Sequence, residues 1–134
     1  MKKYFLDVNV LIDYFLDRQT KDSDIKKLLK EIDTSNIYVS GLSAHIIFYV
    51  LRVKFNTQMF LDIKSLFDRV NIIPLTGEIV NSAMNIAFKD FEDTLQYFSA
   101  VNNCDYILTR DKKDFEKIQK LSPSPLKIVN KYHL

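Results

Sequence analysis

Acidic side chains in this sequence fall where carboxylates can act together. Asp7 directly follows the apolar run Tyr4-Phe5-Leu6, and Asp111 stands just past the run Tyr106-Ile107-Leu108, with only Thr109 and Arg110 between. A third group, Asp90, Glu92 and Asp93, opens a segment in which Leu95, Phe98, Ala100 and Val101 have helical spacing. If the two runs are buried strands and the segment is a helix, these carboxylates gather at one edge of a sheet. Like charges a few ångströms apart in a partly dry cleft repel, and the repulsion is relieved by a raised pKa or by a bound divalent cation. Oxygen-only ligands suit Mg²⁺ or Mn²⁺ better than zinc. Such an ion holds a phosphodiester, polarises its phosphorus and lowers the pKa of an attacking water. The chemistry that this pattern would support is phosphodiester hydrolysis.

Positioning those groups requires the right elements. The runs Tyr4-Phe5-Leu6, Ile37-Tyr38-Val39, Asn71-Ile72-Ile73, Tyr106-Ile107-Leu108 and Lys127-Ile128-Val129 are rich in β-branched and aromatic residues without a long alternating pattern, as buried parallel strands are. Between them lie helical stripes: Ile25, Leu28, Leu29 and Ile32; Ile46, Ile47, Val50 and Leu51; Phe60, Ile63, Phe67 and Val70. Strands alternating with helices imply a parallel sheet covered on both faces, with the ligand site outside the carboxyl ends of the strands. The run Ser122-Pro123-Ser124-Pro125 breaks a helix and reads as a turn before the last strand.

Composition narrows the class. A chain of 134 residues with 47% hydrophobic residues fills one core without disulfides or structural metal, so one domain over residues 1–134 is expected. The lone Cys104 reads as a small buried apolar residue, and its isolation fits a reducing, cytoplasmic compartment. Asp7 and Asp13 interrupt the opening apolar stretch, which excludes a signal peptide there, and no segment is long enough to span a membrane. A net charge of +2 is too small for a protein that coats nucleic acid by charge alone, so any such contact is local. With only two Gly, there is no glycine-rich phosphate loop.

Taken singly, the acids have plainer readings. Asp90 with Asp93, and Asp111 with Asp114, have capping-box spacing, and Asn9 before Val10-Leu11-Ile12 reads as an N-cap. Asp7 has no cap role unless it reaches the next helix.

The segment Phe5-Leu6-Asp7-Val8-Asn9-Val10-Leu11-Ile12-Asp13-Tyr14 resembles the opening of PIN domains, an apolar strand followed by Asp-x-Asn-x-Leu-x-Asp. The blocks Lys89-Asp90-Phe91-Glu92-Asp93-Thr94-Leu95-Gln96-Tyr97 and Cys104-Asp105-Tyr106-Ile107-Leu108-Thr109-Arg110-Asp111-Lys112-Lys113-Asp114-Phe115 look like the distal half of that family. The resemblance implies a three-layer α/β/α sandwich around a parallel sheet of four to five strands. It also implies Mg²⁺- or Mn²⁺-dependent cleavage of single-stranded RNA, in many small members as the toxin of a toxin-antitoxin pair. By the same resemblance Asp7, Asp93 and Asp111 are the catalytic metal ligands, Asn9 supports Asp7 by hydrogen bonding, Thr109 is a further supporting residue, and Asp90 and Asp114 are outer ligands or caps. Arg110, Lys112 and Lys113 are then placed to grip RNA phosphates, or form a solvated basic turn.

PIN nucleases usually carry a Glu on the helix after the second strand, whereas Ser40-Gly41-Leu42-Ser43-Ala44-His45-Ile46-Ile47-Phe48-Tyr49 holds no acid, with Ile46 at the Glu position. That departure motivates an alternative, a weak or inactive PIN-like module that binds RNA or protein. His45 beside it reads as a capping or half-buried residue rather than a ligand. A phospho-receiver domain is a further alternative, disfavoured because the run Asn71–Gly77, taken as central, has no acceptor Asp. The aromatics Phe48, Tyr49 and Phe55 suggest a homodimer, or pack inward.

Overall fold

A computed structural model describes residues 1–16 and 24–130. Each apolar run forms a strand: β1 (Tyr4–Leu6), β2 (Ile37–Ser40), β3 (Asn71–Ile73), β4 (Tyr106–Leu108) and β5 (Lys127–Val129). The strands pair in parallel in the order β3-β2-β1-β4-β5. Among the described residues the helices are α1 (Val8–Phe15), α2 (Asp24–Glu31), α3 (Gly41–Val50), α4 (Gln58–Arg69), α5 (Gly77–Met84), α6 (Phe91–Val101) and α7 (Lys112–Leu121). The result is the expected three-layer α/β/α sandwich, with five strands. None of these helices is long and apolar enough to cross a membrane.

Because side chains alternate along a strand, three residues suffice to make two cores. Leu6 and Leu108 join Leu11 of α1, Leu28 of α2, Ile47 of α3 and Leu66 of α4 on one face. Phe5, Ile107 and Ile128 join Ala83 of α5, Tyr97 of α6 and Phe115 of α7 on the other. Burying each large side chain contributes roughly 1.5–3 kcal/mol, and this packing, rather than the short ladders, holds the layers.

Two expectations are corrected. The run Asn71–Ile73 is an edge strand, not a central one, because the first three strands are laid outward from β1 before the chain returns to place β4 on the other side of β1. A receiver fold has the flavodoxin-like order 2-1-3-4-5, so this topology excludes it, and the point of reversal falls between β1 and β4, where ligands bind in open α/β sheets. Asn9 is not an N-cap: it lies inside α1, and the cap is Asp7, whose carboxylate accepts the Val8 N–H at 2.8 Å.

The Ser-Pro turn is held from below. Tyr97 Oη donates to the Ser122 carbonyl at 2.6 Å and lies 2.7 Å from Ser124 Oγ, while Gln119 Nε2 donates to the Leu126 carbonyl at 2.7 Å. Tyr97→Phe keeps the packing and removes the phenol, so it is expected to lower unfolding free energy by about 1 kcal/mol. A urea midpoint lowered with an unchanged slope checks this; an unchanged midpoint refutes the anchoring role.

Candidate metal centre

β1 and β4 deliver two acids to the same edge because they pair in register, Leu6 opposite Leu108, and the Asp7 N–H continues the ladder by donating to the Leu108 carbonyl at 3.0 Å. Asp7 is fully buried. Its Oδ1 accepts from Val8 N–H at 2.8 Å and its Oδ2 accepts from Thr109 Oγ1 at 2.8 Å. The same threonine oxygen accepts the Asp111 N–H at 2.9 Å, so one hydroxyl sets the spacing of both acids. Asp111, half-buried, accepts from Asn9 Nδ2 at 2.8 Å, so Asn9 supports this acid and not Asp7 as the resemblance implied, and Asp111 makes no side-chain cap bond to α7 although it occupies the cap position. Asp93 comes from the first turn of α6. Asp90 caps that helix by accepting the Asp93 N–H at 3.0 Å, and its carbonyl accepts the Thr94 hydroxyl at 2.8 Å.

The three acids predicted from sequence therefore converge: one oxygen from each of Asp7, Asp93 and Asp111 lies within 4.8 Å of the others. Two oxygens on one hard cation are at most twice the metal–oxygen distance apart, about 5 Å for Ca²⁺ and about 4 Å for Mg²⁺, so the donor set suits a hard divalent cation by chemistry, and its oxygens would draw in by a few tenths of an ångström around the smaller ion.

Their electrostatics agree. Burial pushes the Asp7 carboxyl up to about 7, against the Thr109 and Val8 hydrogen bonds, with the Asp111 charge raising it further and Arg110 lowering it. Burial raises Asp93 to about 8, aided by the negative charges of Asp7, Asp90, Asp111 and Asp114. Burial outweighs the hydrogen bonds, and the neighbouring negative charges add to it, so both carboxyls keep their protons to near neutral pH unless a cation displaces them.

The remaining predicted residues lie around this centre. Asp114 sits 3.9 Å from Lys89 Nζ and adds to the field on Asp93 without joining the three-oxygen cluster. Arg110 is not simply solvated: its Nε lies 2.9 Å from Oδ2 of buried Asp13. Lys112 and Lys113 line a depression of about 500 Å³ with Arg110, Asp111, Asp114 and Asn130. Arg110 also helps line a second groove of about 630 Å³, with Val8, Asn9, Ile12, His45, Ile46 and Glu92. Ile46 thus forms a buried apolar wall there, and His45 is exposed, its ring 6.5 Å from that of Tyr49. Phe48 packs edge-on against Phe60, while Tyr49 and Phe55 are exposed. Cys104 is half-buried, its thiol pushed up to about 12 chiefly by burial.

Sequence reasoning missed two features. Asp13 as the partner of Arg110 was signalled only by its place in the opening motif. A buried polar chain joins α3 to α6: Gln96 Nε2 donates to Ser43 Oγ at 2.9 Å, which lies 3.0 Å from the Ser40 Oγ that caps α3. Gln96 Oε1 is buried without a hydrogen-bond partner, one helical turn beyond Asp93. A glutamine within an apolar stripe was the available signal.

A sandwich of this topology with three acids at the switch point defines a class, and the comparisons give it a name. The PIN domain family model matches residues 3–113, and the chain belongs to the PIN domain family. Ribonuclease VapC1 of Aquifex aeolicus (strain VF5) is 29% identical over 119 residues, covering 83% of each chain. Similar solved structures include DNA-bound VapBC from Salmonella typhimurium (TM-score 0.73, 16% identity, 96% of this chain and 98% of that one) and a toxin-antitoxin complex from Klebsiella pneumoniae (TM-score 0.69, 18% identity, 98% and 100%). At those identities the structures establish the fold.

The raised carboxyls predict an inverted pH dependence. Below about pH 4, Asp7 and Asp93 are protonated folded or unfolded. Above it the unfolded chain releases protons that the folded chain retains until about 7 and 8, so stability falls as pH rises through that window. For the metal-free protein the melting temperature at pH 8 should lie at least about 4 °C below that at pH 5, and Mn²⁺ should restore it at pH 8. A melting temperature that rises with pH, or ignores Mn²⁺, contradicts this electrostatic account.

Proposed function

We propose that this chain, taken as a single domain over residues 1–134, is a cytoplasmic Mg²⁺- or Mn²⁺-dependent endoribonuclease acting on single-stranded RNA, and the toxin of a toxin-antitoxin pair. The observation that carries the reading is the approach of Asp7, Asp93 and Asp111 oxygens to within 4.8 Å at the switch point of the sheet. The 29% identical Ribonuclease VapC1 supports the reaction, and the VapBC complexes among the structural neighbours support an antitoxin partner.

In this reading Asp7, Asp93 and Asp111 hold the ion, which supplies an acidified water and a Lewis acid at the scissile phosphate. Thr109 and Asn9 keep the carboxylates aimed, so that little reorganisation is needed on binding. Arg110, steadied by Asp13, and the neighbouring Lys112 and Lys113 take the adjoining phosphates. An antitoxin segment would occupy the apolar groove beside Asn9 and Ile46, bringing a cationic side chain toward the acids, and a second copy would cover exposed Tyr49 and Phe55.

Ile46 in place of an acid favours one other reading, a module that binds RNA or protein and cuts weakly or not at all. Incubating the purified chain with a mixed RNA pool and Mn²⁺ or Mg²⁺ separates the two. Asp7→Asn preserves size and the acceptor that caps α1, so cleavage should fall by about 10²-fold or more while the fold persists. Cleavage equal in wild type and variant sinks the nuclease reading. Thr109→Val, which removes the shared hydroxyl, should weaken Mn²⁺ binding about 10-fold or more by titration, and unchanged affinity would show that it does not organise the site.

A further inference from the structure

Three acids converge, but only two of them are held by hydrogen bonds to their own carboxylates. Asp7 accepts from the Val8 N–H and the Thr109 hydroxyl, and Asp111 accepts from the Asn9 amide. Among the described residues no donor reaches the Asp93 carboxylate, whose residue is bonded only through its backbone, to the Asp90 cap. The place of this third acid is therefore set by whatever fixes the first turns of α6.

Gln96 follows Asp93 by three residues, on the same side of the helix, and is fully buried. Its Nε2 donates to Ser43 Oγ at 2.9 Å, Ser43 Oγ lies 3.0 Å from Ser40 Oγ, and Ser40 Oγ accepts the Ser43 N–H at 3.0 Å. The register of β1 on β2 pairs Tyr4 with Ile37 and Phe5 with Tyr38, so its continuation puts Ser40 opposite Asp7. On the other side, Leu6 pairs with Leu108, and the next pair is Asp7 with Thr109. Asp7 thus stands between two hydroxyl residues in the sheet. Thr109 spaces Asp111 directly, and Ser40 reaches α6 through Ser43 and Gln96.

Joining two layers does not require this chain. Gln96 Oε1 is buried without a hydrogen-bond partner, whereas an apolar side chain of similar length would leave nothing orphaned and Ser43 still paired with Ser40. We propose that Gln96 is a positioning residue of the metal centre: by tying α6 to the strand residue beside Asp7, it sets the approach of Asp93 to Asp7. This rests on the three acids holding a divalent cation.

The test measures Mn²⁺ affinity by calorimetric titration, and melting temperature without metal, on the full chain. Gln96→Met keeps the length of the side chain and removes the amide. Ser43→Ala removes the hydroxyl that receives the amide but leaves the Ser43 N–H on its cap. Each should weaken Mn²⁺ binding about 10-fold, and the double variant no further than either alone. The metal-free melting temperature of Gln96→Met should stay level or rise, because a buried orphan is gone. Tyr97→Phe, at the next residue of α6, is the control that should lower stability and leave affinity unchanged. Mn²⁺ affinity unchanged in Gln96→Met and in Ser43→Ala overturns the proposal and leaves the metal centre intact; if Gln96→Met does not fold, Ser43→Ala decides alone. Losses that multiply in the double variant, or an equal loss in Tyr97→Phe, also overturn it. Wild type that does not bind Mn²⁺, or binds it no better than Asp93→Asn does, overturns the metal centre and the proposal together.

Discussion

Asp7 is a fully buried carboxylate at the end of the central strand, and the rest of the molecule is arranged around it. A lone ionised carboxylate in such a place is too costly to persist, so it needs a proton, a cation or several donors. The fold provides two donors, the Val8 N–H and the Thr109 hydroxyl, and then adds Asp93 and Asp111 beside it, which makes ionisation harder. A structure selected for stability alone would have no use for this arrangement. A divalent ion at the cluster would turn the same crowding to advantage, since its two charges would reverse the sign of the local interactions at once.

The scaffold follows from that constraint. β1 and β4 contribute only three residues each, yet their register fixes the height of Asp7 against Thr109 and thus against Asp111. A slip of one residue would turn Phe5 and Leu6 to the wrong cores and part Asp7 from the hydroxyl that spaces the acids, so packing and chemistry select the same register. The third acid arrives by a different route: α6 starts at the edge because Asp90 caps it, and the Gln96–Ser43–Ser40 chain ties its second turn to the head of α3. That chain leaves Gln96 Oε1 without a partner, a cost of about 1–3 kcal/mol, in the layer directly beneath Asp93.

The sequence carried the strands and the acids because both are written locally. All five strands coincide with short β-branched or aromatic runs, and Asp7 and Asp111 follow directly from standing one and three residues beyond two of them. Strand order was not legible: the position of Asn71–Ile73 at the edge depends on the direction of crossovers, which no residue encodes by itself. The head of α1 was misread because a motif read one residue at a time assigns the cap to Asn9, whereas the chain uses Asp7 as both cap and site carboxylate and spends Asn9 on Asp111. α5 gave no pattern, since Gly77, Asn81 and Ser82 favour turns and only Ile79 and Ala83 are buried; the Thr76 cap and packing on α6 hold it. The Arg110–Asp13 pair and the Gln96 chain join elements distant in sequence, and pairing of that kind appears only once the layers are assembled.

The wall formed by Ile46 bears on how the cluster balances its charge. A fourth acid from α3 would raise the negative potential at the centre and make the metal-free protein harder to fold. Three carboxylates against one dication leave a net charge near −1, and four would leave −2, so the present set asks less of its surroundings in both states. Three acids would also attract a dication less strongly than four, which would place more of the burden of retention on geometry, namely the Thr109 hydroxyl and the Asn9 amide that fix two of the three carboxylates. Apolar surface at Ile46 then turns the side of the site facing α3 from a polar rim into part of a continuous groove with Val8 and Ile12. That side of the groove is therefore apolar and carries less negative charge than a fourth acid would give it.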